Sequence, residues 1–454
     1  MSKPTDTPNA LPTDATYLTA LAGLTSSPQP SSKNALAIGK HSIAVLPFVN
    51  MNRDDEGESL ADGISEDIIT ALSRHSELFV IARTSSFAFK GQSKDIKTIA
   101  AELGVRFVLE GSVRKLGTRI RVTAQLIDGL SGSHIWAEKY DGGIEEVFDI
   151  QDRVTLAVAK STHTELLLTD YDAKGVSAVT NPGAHEIAGR AILKVHEQTR
   201  ESNAEGLALA EQAIAMAPDE PRALRALALA SVSATTMGLL SPTPERHEEN
   251  LRLAIKAVEA SPRDEQARFA LSWAYSNLTR YEEAVIQCKI ALDINPNFAN
   301  GYGDIGDNYV LMGRAEEAIE YAEKALRLNP LDPSFFWRRY TIALSRFILN
   351  DLEVARSQLH EIVQRHPTFL RASIAWAAAA AACDRMEEAK RAVVHCLSLA
   401  PELSMSNLVP SYFSGFARSE HQDYFLAMLR RAGLPDHPPS TDKVPSQTQG
   451  DAKG

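Results

Sequence analysis

Two stretches, YSNLTRYEEAVIQCKIALDINP (275–296) and YVLMGRAEEAIEYAEKALRLNP (309–330), decide how this chain is read. They align residue for residue with an offset of 34, so that Tyr275 matches Tyr309, Ala284 matches Ala318 and Pro296 matches Pro330. A fixed period of about 34 residues means stacked copies of one small unit, each too small to bury its own apolar face. Here the unit is two antiparallel helices. Leu271, Ser272 and Tyr275 fall on one face of a first helix, and Ala284, Cys288 and Ala291 on one face of a second. Ile305, Gly306 and Tyr309, with Ala318, Ala322 and Ala325, repeat the arrangement. Spacings of three and four keep each set on one helix face. Large residues fill the groove, and Gly or Ala lets the backbones approach. Proline then ends each second helix, because it lacks the N–H that the next turn needs.

These residues resemble the tetratricopeptide repeat (TPR) family. The frame extends in both directions. Pro262 precedes Pro296 by 34 residues and Pro367 precedes Pro401 by 34, while Pro330 to Pro367 spans 37, so three extra residues are expected in a loop or a lengthened helix. Pro218 to Pro262 spans 44, with the surplus in Met237-Gly-Leu-Leu-Ser-Pro-Thr-Pro244, a loop by its glycine and prolines. Trp376, Ala377, Ala380, Ala389, Val393 and Cys396 carry the last unit, and Leu193, Gly206, Ala210 and Ala213 a weaker first one. About six units are expected over 184–434, closed by a capping helix from Gln422 to Ala432.

Upstream of the repeats the periodicity changes. Ile43-Ala-Val-Leu-Pro-Phe48 and Leu78-Phe-Val-Ile81 read as buried strands, with an amphipathic helix carrying Leu60, Ile64, Ile68 and Leu72 between them. A second helix (Ile96, Ile99, Ala100, Leu103) stops at Gly104. Residues 107–113 and 120–127 form a hairpin turned at Gly117, a third strand covers 133–138, and a helix carries Val147, Ile150, Val154, Val158 and Leu166. The fold class is α+β in two parts: a small α/β domain with a mixed sheet over 41–170, then an all-α solenoid over 184–434. Residues 1–40 and 435–454 read as disordered by composition, apart from a short apolar stretch at Tyr17 to Leu24, and 171–183 as a linker. Few contacts are expected to join the halves, so limited proteolysis should cut first within 1–40, at 169–182 and after 435. Early cuts inside repeats would contradict that map.

The phrases Ile43-Ala-Val-Leu-Pro-Phe48, Leu60-Ala-Asp-Gly-Ile64, Glu110-Gly-Ser-Val-Arg114, Gln125-Leu-Ile-Asp128 and His134-Ile-Trp136 resemble the TolB amino-terminal-like domain. The version fused to TPR arrays in rhizobial-type bacterial proteins is the most similar, and the likeness runs over 42–168. Those relatives often carry a class III adenylate cyclase domain or a winged-helix domain ahead of this module. Only about forty residues precede Ile43, so the resemblance is to the non-catalytic half, and no catalytic residues are implied.

The chain carries 47 basic and 58 acidic side chains, a net charge of −11, which weighs against non-specific nucleic-acid binding. Three cysteines without a CxxC give neither a zinc site nor a redox pair. No apolar run is long enough for a membrane span, and the N-terminus does not read as a secretory signal. Literal motifs fail in context. Gly301-Tyr-Gly-Asp-Ile-Gly306 is a GxGxxG, but it falls inside a repeat helix with no strand before it. His360, Glu361 and His366 do not share the spacing of a zinc helix. Asp54-Asp-Glu-Gly-Glu58 lacks the alternating calcium ligands. Arg114, Lys115, Arg119 and Arg121 surround the Gly117 hairpin, where a solvated basic edge that resists strand pairing is favoured over an anion site. No enzyme, no cofactor and no metal are expected. The candidate binding surface is the inner face lined by the first helix of each repeat, where the frame places Phe269, Trp273, Asn300, Asp307, Tyr340 and Arg371. The reading is a cytoplasmic, non-catalytic scaffold that recruits a protein or peptide, with no nucleic-acid partner. The alternative is the regulatory half of a signalling system whose adenylate cyclase is separately encoded.

Overall fold

The computed structural model describes residues 41–52, 54–75, 78–161, 181–197, 199–332, 336–411, 413 and 415–438. The α/β part contains β1 (Ser42–Val45), β2 (Val49–Asn50), α1 (Asp55–Ser73), β3 (Phe79–Val80), α2 (Arg83–Phe87), α3 (Ile96–Leu103), β4 (Phe107–Leu116), β5 (Arg119–Asp128), β6 (His134–Gly143) and α4 (Val147–Ser161). Its sheet runs in the order β3-β1-β4-β5-β6, with β2 also paired to β4. β1 lies parallel to β3 and β4, while β4, β5 and β6 are antiparallel. The sheet is therefore mixed.

Burial follows the sequence pattern. Every residue of β1 is buried because both faces are covered there. Ile43 and Val45 pack with Ile64 and Ile68 of α1 and Val154 of α4, while Ala44 packs with Ile99 and Leu103 of α3. In β5, Ile120, Val122, Ala124 and Leu126 point into the core and Arg119 and Arg121 to solvent. The expected strand from Ile43 to Phe48 stops at Val45, and β2 starts only after Phe48. Pro47 has no amide to donate, and the Phe48 N–H turns away to the Ser65 hydroxyl at 2.8 Å. The expected strand over 133–138 continues to Gly143, with Tyr140 buried beneath it.

Local chemistry sets the helix ends. Asp54 is extended and accepts the Gly57 N–H at 2.6 Å, so α1 begins at Asp55, earlier than the loop expected up to Glu58. Gly104, after α3, takes φ +68°, a conformation that a Cβ would strain. The helix expected to reach Leu166 is described as far as Ser161; Leu166 and Tyr17–Leu24 lie outside the described residues.

The second part is a run of helix pairs: α5 (Pro182–His196) with α6 (Arg200–Met216), α7 (Pro221–Thr236) with α8 (Pro244–Ala260), and α9 (Glu265–Asn277) with α10 (Tyr281–Ile294). α11 (Ala299–Leu311) pairs with α12 (Ala315–Leu328), α13 (Phe336–Ile348) with α14 (Leu352–Arg365), and α15 (Leu370–Ala382) with α16 (Met386–Leu399). The capping helix, α17, spans Ser419–Ala432. Each second helix ends two residues before its proline. α13 is described from Phe336, six residues after Pro330, whereas α11 begins three after Pro296, so the three-residue surplus lies before Phe336.

The helix crossings sit where the frame puts them. A Cβ on Gly306 would lie 3.0 Å from the Ala318 carbonyl oxygen and 3.3 Å from the Ala322 nitrogen. One repeat earlier, Ser272 fills the equivalent space and donates its hydroxyl to the Ala284 carbonyl at 2.8 Å. In the four pairs from α9–α10 to α15–α16 the chain reverses through a left-handed residue: Thr279, Gly313, Asn350 and Asp384, with φ between +59° and +77°. These positions follow the repeat although only one is glycine.

The two parts touch at a small set of specific hydrogen bonds. The side-chain amide of Asn297, in the turn after α10, donates to the carbonyls of Ser73 at 3.0 Å and Leu78 at 2.8 Å. Asn329, in the turn after α12, accepts from the Ser85 N–H at 3.1 Å and the Ser85 hydroxyl at 2.6 Å. The Ala82 N–H donates to the Leu328 carbonyl at 2.9 Å, and the Leu331 N–H to the Ser85 hydroxyl at 2.7 Å. The end of α1, β3 and the start of α2 are thus stitched to two successive inter-repeat turns.

Candidate binding cavity

The first helices of the repeats form one wall of a cavity of about 1070 Å³, and α1, α2 and α4 form the facing wall. All six residues placed on the inner face by the repeat frame line this cavity. Their situations differ. Phe269 is buried, 5.8 Å from Trp273 and edge-on to Phe298 at 5.9 Å. Trp273 is half-buried on that stack, and Asn300 is half-buried. Asp307 is held within the wall by an ion pair to Arg338 and by the Thr341 hydroxyl. Tyr340 is buried with its ring edge-on to Phe369 at 5.3 Å, and burial pushes its phenol above the usual range. Arg371 lies over the Trp337 ring at 5.8 Å.

Sequence reasoning missed most of the facing charges. Arg225 pairs with Asp264 at 2.7 Å and Arg83 with Glu66 at 3.3 Å. Arg222 contacts the His185 Nε2 at 2.8 Å, and burial together with Arg225 lowers its pKa. Burial pushes the Asp67 carboxyl up to about 6, partly countered by the Gln151 amide. Asp304 is also pushed up to about 6, first by burial and then by the charge of Asp307, against bonds from Ser272 and Cys288. Polar residues scattered over helices with no local motif leave no pattern from which such a cluster is read.

The literal motifs take structural roles. Gly301, Gly303 and Gly306 all lie inside α11, and a Cβ on Gly303 would collide with the Arg338 guanidinium that crosses it to reach Asp307. His360 stacks on Trp376 at 4.7 Å and His366 on Phe336 at 4.4 Å, so the two imidazoles face different neighbours. In the acidic loop Asp54 caps α1, Glu56 pairs with Lys115 and Glu58 with Lys90. On the hairpin Arg121 pairs with Asp141 at 2.6 Å, and Arg114 and Arg119 are exposed. Among the described residues no three His, Cys, Asp or Glu side chains converge to hold a metal ion, and no helix is long and apolar enough to cross a membrane.

Residues 265–298 and 299–330 match the tetratricopeptide repeat family. Two of the six helix pairs, α9–α10 and α11–α12, thus match TPR repeats. Residues 39–156 match the second domain of HilA/YgeH-like transcriptional regulators, a different family from the TolB amino-terminal-like domain that the sequence phrases resemble. A putative adenylate cyclase 3 of Rhizobium meliloti (strain 1021) is 38% identical over 245 residues, covering 54% of this chain and 42% of the relative. The chain thus spans less than half the length of that relative. Among solved structures, similar ones include a thermophilic TPR protein of Thermus thermophilus (23% identity, 42% of this chain, 98% of that one, TM-score 0.34). YrrB, a TPR protein with an unusual peptide-binding site, is 20% identical over 42% of this chain and 92% of its own, with TM-score 0.29.

Proposed function

We propose that the chain is a non-catalytic cytoplasmic scaffold whose TPR solenoid recruits a protein or peptide partner through its inner face. The observation that carries this is the convergence of Phe269, Trp273, Asn300, Asp307, Tyr340 and Arg371 on one cavity. Aromatic rings beside polar anchors in a concave site supply contact area and orientation together. The likeness of the α/β domain to TolB amino-terminal-like domains belongs to the same proposal. Affinity purification with mass spectrometry tests it, using the wild-type chain against a Trp273→Ala/Arg371→Ala double variant. A partner held through the inner face is lost from the variant; equal recovery from both chains would contradict the proposal.

A second reading is favoured by the identity to a putative adenylate cyclase. In it the chain is the regulatory part of an adenylate cyclase system, and the partner is a separately encoded cyclase. In both readings the purified chain makes no cyclic AMP or cyclic GMP from ATP or GTP with Mg²⁺ or Mn²⁺. Turnover that follows the protein through further purification would overturn the non-catalytic assignment. Recovery of a cyclase with the wild-type chain alone would select the second reading.

A further inference from the structure

The α/β domain reaches the solenoid through groups that no packing argument requires. Asn297 spends its side-chain amide on backbone carbonyls at the end of α1 and the start of β3, and its side-chain oxygen accepts from the Val80 N–H at 3.4 Å. Asn329 and Ser85 form a second buried cluster, linked to Leu331. Both sites lie in inter-repeat turns, one repeat apart. Across the same seam, Glu66 and Asp67 of α1 act on the charge of Arg222 in α7. His196 at the end of α5 lies within the fields of Glu66, Arg83 and Asp332.

We propose that the α/β domain covers the solenoid's inner face from across the cavity, held at the Asn297 and Asn329 turns, and that a partner gains full access to that face by displacing it there. The seam is polar and built mainly from backbone groups. Solvent can replace its bonds one for one when it opens, so opening exposes less apolar surface than unfolding either part would. That is the chemistry of a reversible contact. A core such as the one around Ile305 and Tyr309, by contrast, cannot separate without large exposure of apolar surface. The inference rests on the reading that the inner face recruits a partner, but its test reads closure alone and fails independently of that reading.

The test compares the full chain with an Asn297→Asp/Asn329→Ala variant. A carboxylate at 297 faces the Ser73 and Leu78 carbonyls, and alanine at 329 removes the acceptor of the Ser85 N–H and hydroxyl; each lost buried pair shifts the balance toward the open form by roughly tenfold or more. With helical circular dichroism unchanged, small-angle scattering is expected to give a larger radius of gyration, and acrylamide is expected to quench tryptophan fluorescence more strongly, an increase that vanishes when both cavity-lining tryptophans, Trp273 and Trp337, are replaced by Phe. Unchanged scattering and quenching would overturn the proposal. Should the double variant lose helicity, Ser85→Ala decides, because it removes seam bonds from outside the repeats. It must raise quenching in the same way, dependent on Trp273 and Trp337, and if it does not, the proposal fails.

Discussion

Replacing Ala318 with Leu is expected to lower the melting temperature by roughly 4–10 °C, because overpacking a filled interface costs about 1–3 kcal/mol or more. Ala318 is fully buried, and its carbonyl oxygen is the atom that a Cβ on Gly306 would meet at 3.0 Å. Leu has nowhere to go except into α11. Gly306→Leu, approaching from the other side, is expected to do the same. Gly306→Ala is expected to be close to neutral, since the helix propensity gained, about 1 kcal/mol, is offset by pushing against backbone atoms. Glu316→Leu, two residues from Ala318 on the exposed face of α12, leaves the melting temperature nearly unchanged. Because neighbouring repeats stabilise each other, damage to this central unit also weakens α9–α10 and α13–α14. Equal tolerance of Ala318→Leu and Glu316→Leu in thermal melts would mean that α11 and α12 do not cross at these residues.

The second large effect depends on pH. The buried Asp304 carboxyl titrates at about 6, against 3.8 for an ordinary aspartate. The folded state holds that proton more tightly than the unfolded chain, so the stability linked to it is full below about pH 4 and is lost as pH rises through 6. Asp304→Asn keeps an amide beside the Ser272 hydroxyl and the Cys288 thiol and removes the ionised form. Relative to wild type it is expected to gain roughly 2–3 kcal/mol at pH 8 and nothing at pH 4. Asp67, also near 6 and lining the cavity on the α/β side, adds a slope of the same sign in wild type and variant alike. Urea denaturation of both proteins from pH 4 to 8 measures the difference. A constant gap across that range would show that Asp304 is not a buried, protonatable group.

How much of this was legible differs from feature to feature. The solenoid was readable because its constraint is periodic: a proline after each second helix and a small residue at each crossing leave a mark every 34 residues. The inner face followed, since one frame fixes which side of every first helix points inward. The left-handed reversals at Thr279, Asn350 and Asp384 were not readable, because only Gly313 among the four carries the residue usually associated with positive φ. β6 ran longer than expected because Lys139, Asp141 and two glycines hide a strand whose only buried large side chain in that segment is Tyr140. The seam between the two parts left no trace. It is made by turn asparagines that look like ordinary helix stops and by backbone groups that carry no sequence signal at all. Domain docking through main-chain atoms is invisible to pattern reading, whereas docking through an apolar face is not.

Native-state hydrogen exchange reads that seam directly. The amides of Ala82 and Ser85 donate to the Leu328 carbonyl and the Asn329 side chain. Neither amide is inside a regular ladder that would protect it without the repeats. If the α/β domain covers the inner face, both exchange orders of magnitude more slowly than free peptide. They then slow or quicken together with the seam variants. Exchange at the free-peptide rate for both amides, with α11 and α12 still protected, would contradict the docked arrangement: the two parts would be separate bodies and the cavity between them would not exist in solution.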